Sequence, residues 1–180
     1  IEEKVVFPTS EKGKFLSKFF SDGFEYIFPS RQISSIYYEN INFDIYKDSV
    51  EGVVPRKKIR VREKFGNIYL EEKIKLTDGK YKTSKKINNP PNVIHDQSYG
   101  VLKKICKITY NRSYLSNGKI RLTLDSDLKF ENLINRYVSF MNNNIILEYK
   151  ILDDFSLSEN YISSHKELNS FKFSKYEQAI

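Results

Sequence analysis

Disulfide chemistry is excluded at the outset: Cys106 is the single cysteine among 180 residues, so no intrachain bridge can form. A disulfide-free chain suits a reducing compartment, and a cytoplasmic location is the expectation. No apolar run approaches the roughly 20 residues that cross a bilayer as a helix, so no transmembrane segment is expected. No signal peptide is visible, although the chain opens mid-strand at Ile1-Glu2-Glu3-Lys4 and residues are expected before it. Histidine is nearly as scarce. His95 and His165 have no Cys or carboxylate partner at metal-ligand spacing and read as surface residues. A glycine-rich phosphate loop and a Ser- or Cys-centred triad are both missing. So are internal repeats and low-complexity linkers, which leaves a single domain over residues 1–180.

What the chain does have is core material and positive charge. Hydrophobic residues make up 39% and aromatics 14%, enough for a packed core without disulfide staples. Many of the 13 Tyr and 13 Phe occupy apolar periodic positions and are assigned to that core, as is Cys106. Lys plus Arg number 30 against 23 Asp plus Glu, a net charge of +7. That excess points to an anionic partner and leaves nucleic acid, acidic lipid and free phosphate compounds open.

Ile1–Phe7 reads as a short strand. Ser10 can cap a helix running to about Phe20, with Phe15, Leu16 and Phe19 on one face. Gln32–Glu39, Lys57–Glu63, Asn67–Leu76, Ile105–Leu115, Lys119–Asp125 and Asn144–Leu152 read as strands. Phe65-Gly66-Asn67 and Ser116-Asn117-Gly118 suit hairpin turns, and Asn88-Asn89-Pro90-Pro91-Asn92 is a loop. Short helices are expected over Gln97–Lys104, over Ser158–Leu168 and from about Ser174. About seven or eight strands joined largely by hairpins argue for an α+β fold, an antiparallel β-barrel with a few peripheral helices.

The chemistry lies in the alternation of those strands, since successive side chains point to opposite faces. Arg56, Lys58, Arg60 and Arg62 share one face; Ile59 and Val61 share the other, with Lys57 the exception. Glu71, Lys73 and Lys75 sit together opposite Leu70 and Ile74. Glu148 and Lys150 sit opposite Leu147, Tyr149 and Ile151, and Glu2 and Lys4 pair in the same way. Arg121, Thr123 and Asp125 lie opposite Leu122 and Leu124, and Arg112 joins a polar face. The apolar faces can pack on helices, and the charged faces can then converge on a barrel interior. A bore dominated by Arg and Lys requires a multiply anionic ligand, with Arg offering bidentate hydrogen bonds to phosphate and Lys a point charge. The carboxylates would repel such an anion unless they hold a divalent cation that bridges phosphate oxygens. Glu148 is the first choice for that role, with Glu2 and Glu71 behind it; the plain alternative for each is a salt bridge to a neighbouring cation. Lys80, Lys82, Lys85 and Lys86 form a further basic cluster, read as a solvated face that could also guide a long anion.

Seven stretches share an order along the chain. They are Ser35-Ile36-Tyr37-Tyr38-Glu39, Arg56-x-Lys58-x-Arg60-x-Arg62, Tyr69-Leu70-Glu71-Glu72-Lys73, Tyr110-x-Arg112, Arg121-x-Thr123-x-Asp125, Leu147-Glu148-Tyr149-Lys150 and Phe173-Ser174-Lys175-Tyr176. In this order the chain resembles the polyphosphate polymerase domain of the vacuolar transporter chaperone (VTC) type, within the CYTH-like triphosphate tunnel metalloenzyme superfamily. The resemblance implies a β-tunnel that grips a triphosphate and transfers the terminal phosphoryl group of ATP to a growing polyphosphate chain, with a divalent metal, Mn²⁺ or Mg²⁺. By motif match, Lys4, Arg60, Arg62, Lys73, Arg112, Arg121, Lys150 and Lys175 would contact phosphates, with Lys58 and Lys75 beside them. Arg60, Arg62, Lys73, Arg112, Arg121 and Lys150 would carry the catalytic role, and Glu148 would sit at the metal. The implied partners are ATP or another triphosphate and inorganic polyphosphate, with no specific nucleic acid.

Three other functions use the same residues. A tunnel hydrolase would pass the phosphoryl group to water. A non-catalytic module would bind polyphosphate or an inositol phosphate without turnover. A nucleic-acid domain would want exposed aromatics beside the basic strip.

Overall fold

The structure, a computed structural model, describes residues 2–151 and 173–180. The helix expected over Ser158–Leu168, the histidine His165, the strand end at Leu152 and Ile1 lie outside the described residues. In chain order the elements are β1 (Glu2–Pro8), a 3-10 turn (Thr9–Glu11), α1 (Lys12–Ser21), β2 (Glu25–Glu39), α2 (Asp44–Glu51), β3 (Arg56–Lys64), β4 (Asn67–Lys75), β5 (Lys80–Ile87), β6 (Val93–Asp96), β7 (Gly100–Ser116), β8 (Ile120–Asn132), β9 (Val138–Met141) and β10 (Asn144–Ile151). Among the described residues the strands form one sheet, ordered β1-β10-β8-β7-β2-β3-β4-β5, with β6 on β7 and β9 on β8. The strands β1 and β5 each have a ladder partner on one side, so the sheet is open and the expected barrel holds only approximately.

The chain clusters into two compact units, Ile1–Gln32 with Tyr110–Leu128 and Phe140–Phe173, and Ile33–Thr109 with Lys129–Ser139 and Ser174–Ile180. In the first unit, β1 pairs with β10 and β10 with β8, both antiparallel. The register gives one apolar face, with Val5 opposite Leu147 and Leu147 opposite Leu124. These residues, with Phe7, Leu115, Leu122 and Ile145, form a buried cluster with Phe15 and Phe19 of α1. The helix face read from the sequence is therefore the buried one, and Leu16 packs against the same cluster. The Phe7 and Phe15 rings lie 4.6 Å apart, and Phe19 meets Phe24 at 5.9 Å. Ser10, however, is not the cap: it lies in the 3-10 turn, and α1 begins after Glu11, which makes no side-chain capping bond.

In the second unit, β3 pairs with β2 and β4, and β4 with β5. The β3–β4 turn is tight. Phe65 and Gly66 both have positive φ, 51° and 70°, the backbone sense that a two-residue hairpin between twisted strands needs. Ile59 and Val61 are buried while their neighbours face the other way. Lys57, the exception on the apolar face, is accounted for: its Nζ donates to Asp96 of β6 at 2.7 Å. The helix expected over Gln97–Lys104 is instead a turn and the start of β7, because Gly100 to Lys103 pair with Asp96 to Val93 of β6. The segment from Ser174 is a hydrogen-bonded turn rather than a helix. Cys106 is fully buried, and burial pushes its thiol up to about 12, which agrees with a core residue. His95 is exposed. Among the described residues no helix is long and apolar enough to cross a membrane.

Candidate functional site

Each unit carries its own charged face. In the second unit the register aligns side chains into cross-strand rows. Tyr37, Arg60, Glu71 and Ser84 form one; Ser35, Arg62, Tyr69 and Lys86 form the next. Two further rows contain only cations, Lys58–Lys73–Lys82 and Arg56–Lys75–Lys80. Directly opposed like charges are destabilising, so such rows favour a bound polyanion. The strand spacing places neighbouring cations of a row about 5 Å apart, and alternate rows follow at about 7 Å along a strand.

Glu71 anchors this face. It is wholly buried, and its carboxylate meets the cations of Arg60, Arg62, Lys64 and Lys82. Arg60 donates to its Oε2 from Nε at 3.0 Å and Nη2 at 2.7 Å, and Lys82 donates to Oε1 at 2.8 Å. Lys64 also donates to Oε1, and the Arg62 guanidinium lies 4.0 Å from Oε2. Burial alone would raise the Glu71 carboxyl; the Arg60 charge and the bonds from Lys64 and Lys82 prevail and hold it well below the usual carboxylate range. A metal at Glu71 would have to displace some of these cations.

Arg60 also donates from Nη1 to the Tyr37 phenol at 3.0 Å. Burial opposes ionisation of Tyr37, but Arg60 and Arg62 outweigh it and bring the phenol down to about 8. Arg62 Nε donates to Ser35 Oγ at 3.0 Å. Lys58 is held by Ser174 Oγ at 3.0 Å and Glu177 at 3.2 Å. The Ser174-Lys175-Tyr176 stretch is thereby docked within this unit, with Tyr176 stacked on Tyr37 at 5.1 Å and donating to the buried Glu39. Glu39 in turn accepts from the backbone amides of Ile45 and Tyr46, ordering the first turn of α2. Lys73 and Lys75 are exposed and Lys175 half-buried.

In the first unit the polar face shows the expected rows, Glu2–Lys150–Arg121 and Lys4–Glu148–Thr123. Lys4 Nζ donates to the Phe173 carbonyl at 3.4 Å. Arg112 grips the fully buried Asp125 with two hydrogen bonds, 2.5 Å from Nε and 2.7 Å from Nη2. Its other faces meet the rings of Tyr110 and Tyr114. Arg121 Nε and Thr123 Oγ1 are buried without a hydrogen-bond partner among the described residues. Such groups are costly unless something accepts them.

No three His, Cys, Asp or Glu side chains among the described residues group into a cation site. The donors at Glu148 nonetheless fit a hard divalent ion. Glu148 is half-buried, opposite Thr123, whose orphaned hydroxyl is a second oxygen donor. Such ions accept carboxylate and hydroxyl oxygens and complete their shells with phosphate or water.

Sequence reasoning missed Lys64, Lys82 and Tyr37 as parts of the Glu71 network. Lys64 continues the basic parity of β3 and could have been found that way. Lys82 could not, because placing it required the β4–β5 register.

The model of the VTC domain matches residues 24–97. No curated protein matches the sequence. Among solved structures, the chain is similar to one from Bacillus halodurans named a candidate adenylate cyclase, at TM-score 0.66 and 15% identity, covering 99% of this chain and 95% of that one. It is similar to the PH1819 protein of Pyrococcus horikoshii OT3 at TM-score 0.57 and 17% identity, covering 99% and 94%. It is also similar to HpAC1 from Hippeastrum, a candidate adenylyl cyclase with a dominant triphosphatase activity, at TM-score 0.56 and 14% identity, covering 99% and 93%.

Proposed function

We propose that this chain, whose central residues match the VTC domain and whose fold is that of the CYTH-like triphosphate tunnel proteins, is an enzyme that transfers the γ-phosphoryl group of ATP to a growing polyphosphate chain. The observation that carries the reading is the pair of cation-only rows, Lys58–Lys73–Lys82 and Arg56–Lys75–Lys80, beside the Arg60–Arg62 pair. A grid of repeated cations suits a ligand of repeated phosphates.

In this reading each charged face offers its own phosphate contacts, Arg60, Arg62, Lys58, Lys73, Lys75 and Lys175 on the face of the second unit and Lys4, Arg112, Arg121 and Lys150 on that of the first. An oxygen of the chain end attacks the γ-phosphorus; the bond from that phosphorus to the bridging β-oxygen breaks, and ADP leaves. No protein nucleophile is required, because fixed cations spread and stabilise the charge of the transferring group. Glu71 keeps Arg60 and Arg62 extended along the face and is a positioning residue. A divalent cation, Mn²⁺ or Mg²⁺, held by Glu148 with Thr123, would neutralise phosphate charge. The second reading, hydrolysis of a triphosphate, differs only in the acceptor, and the triphosphatase activity named for HpAC1 favours it.

Incubation with ATP and Mn²⁺ followed by gel analysis tests the proposal. Long polyphosphate that disappears in Glu148→Ala, with folding intact, supports it. Orthophosphate as the only product supports the hydrolase instead.

A further inference from the structure

An aromatic strip in the first unit is unused by the cationic rows. Phe20, Tyr26 and Phe28 are 46%, 52% and 50% exposed. Phe20 and Tyr26 meet edge-on at 5.8 Å, and Phe28 meets Tyr114 edge-on at 5.8 Å. The Arg31 guanidinium lies over Tyr114, 4.4 Å from the ring centroid, and 5.5 Å from that of Phe28. Its Nε donates to the Tyr114 hydroxyl at 3.3 Å, which fixes the guanidinium among the rings. An open cleft of about 430 Å³ runs along Tyr26, Ile27, Phe28, Pro29, Ser30 and Ser113. That volume is in the range of small-ligand sites, about 300 to 1,000 Å³.

Rings this exposed add little to a core, and a guanidinium fixed among them disfavours an acyl chain. Both suit a flat π-system, which stacks on aromatic faces and on Arg. The strip also abuts a phosphate candidate. Tyr114 and Arg112 alternate on β7 and so share a face, with the Arg112 guanidinium 5.9 Å from the Tyr114 ring.

We propose that this strip takes the nucleobase of a nucleoside triphosphate whose phosphates lie on the cations of the same unit. The inference rests on the triphosphate reading and deepens it, because it makes the donor a nucleotide in preference to bare inorganic triphosphate. The polar side-chain groups lining the cleft are the hydroxyls of Tyr26, Ser30 and Ser113, none of them charged at neutral pH, so the strip stacks a base without strong readout of its edge. Adenine and guanine nucleotides should bind about equally.

Calorimetric titration of the full chain with Mn²⁺ tests this, using the β,γ-imido analogues of ATP and GTP and inorganic tripolyphosphate as ligands. Phe28→Ala should weaken both analogues about tenfold and leave tripolyphosphate unchanged, and Phe28→Tyr should restore wild-type affinity. Phe28→Ala with no effect on the analogues, or an equal loss for all three ligands, would overturn the proposal. If the wild type binds tripolyphosphate but neither analogue, the strip has no base-binding role while the triphosphate reading survives. If it binds none of the three, both fail.

Discussion

Arg60 turns two of its guanidinium nitrogens onto one oxygen of Glu71, at 3.0 and 2.7 Å, and the third onto the phenol of Tyr37 at 3.0 Å. This arrangement sets the charge state of two side chains and the direction of a third. It keeps Glu71 ionised although it is wholly buried, favours ionisation of Tyr37, and fixes the direction of an arginine assigned to phosphate.

Glu71→Gln leaves Arg60, Lys64 and Lys82 without their common counter-ion and should cost about 3 kcal/mol, the scale of breaking a buried pair from one side. Because the pair is ionic without any metal, the loss should be equal with and without Mn²⁺. The folded pKa of Glu71 lies below its unfolded value. Its contribution is therefore complete above the ordinary carboxylate pKa, about 4.3, and is lost as pH falls toward the depressed folded value. Urea midpoints of wild type and variant should differ by a constant amount at neutral pH and converge on acidification. A gap that widens in acid, or that appears only with metal, contradicts the account.

The phenol of Tyr37 should titrate near 8, because the nearby guanidinium charges overcome its burial. An absorbance titration at the phenolate band should show one early tyrosine that is missing in Tyr37→Phe. Tripolyphosphate should move that transition to higher pH, since an anion on Arg60 and Arg62 cancels the field that lowers it. An early transition unmoved by saturating tripolyphosphate would place the ligand elsewhere.

The two charged faces were legible in the sequence because strand alternation depends only on parity. Arg60 and Arg62 against Ile59 and Val61, and Glu148 and Lys150 against Leu147 and Tyr149, lie as the pattern predicts. Partnership was harder to read. Glu71 pairs with Lys82 across a strand boundary, and Arg112 with Asp125 on the next strand, so both depended on register. Two elements failed for local reasons. The apolar spacing within Gln97–Lys104 is compatible with a helix, and its pairing with β6 decides for a strand. The helix α2 is too short and polar for a periodic signal, and its first amides are satisfied from outside by Glu39.

Thr123→Val replaces a buried hydroxyl without a hydrogen-bond partner by a methyl group of the same shape. Without divalent ion, stability should hold or rise by about 1 kcal/mol, since an unsatisfied polar group is removed. Mn²⁺ affinity should fall if the hydroxyl completes the Glu148 site. Unchanged Mn²⁺ affinity, measured by calorimetry, would remove Thr123 from the metal's shell.

The most direct test of chain building follows the label of γ-³²P-ATP through a reaction with Mn²⁺ and a short polyphosphate primer. The account predicts that the label enters acid-stable, long-chain polyphosphate with stoichiometric ADP, and that neither forms in Glu148→Ala. Label recovered only as orthophosphate, or left entirely in ATP, would contradict it.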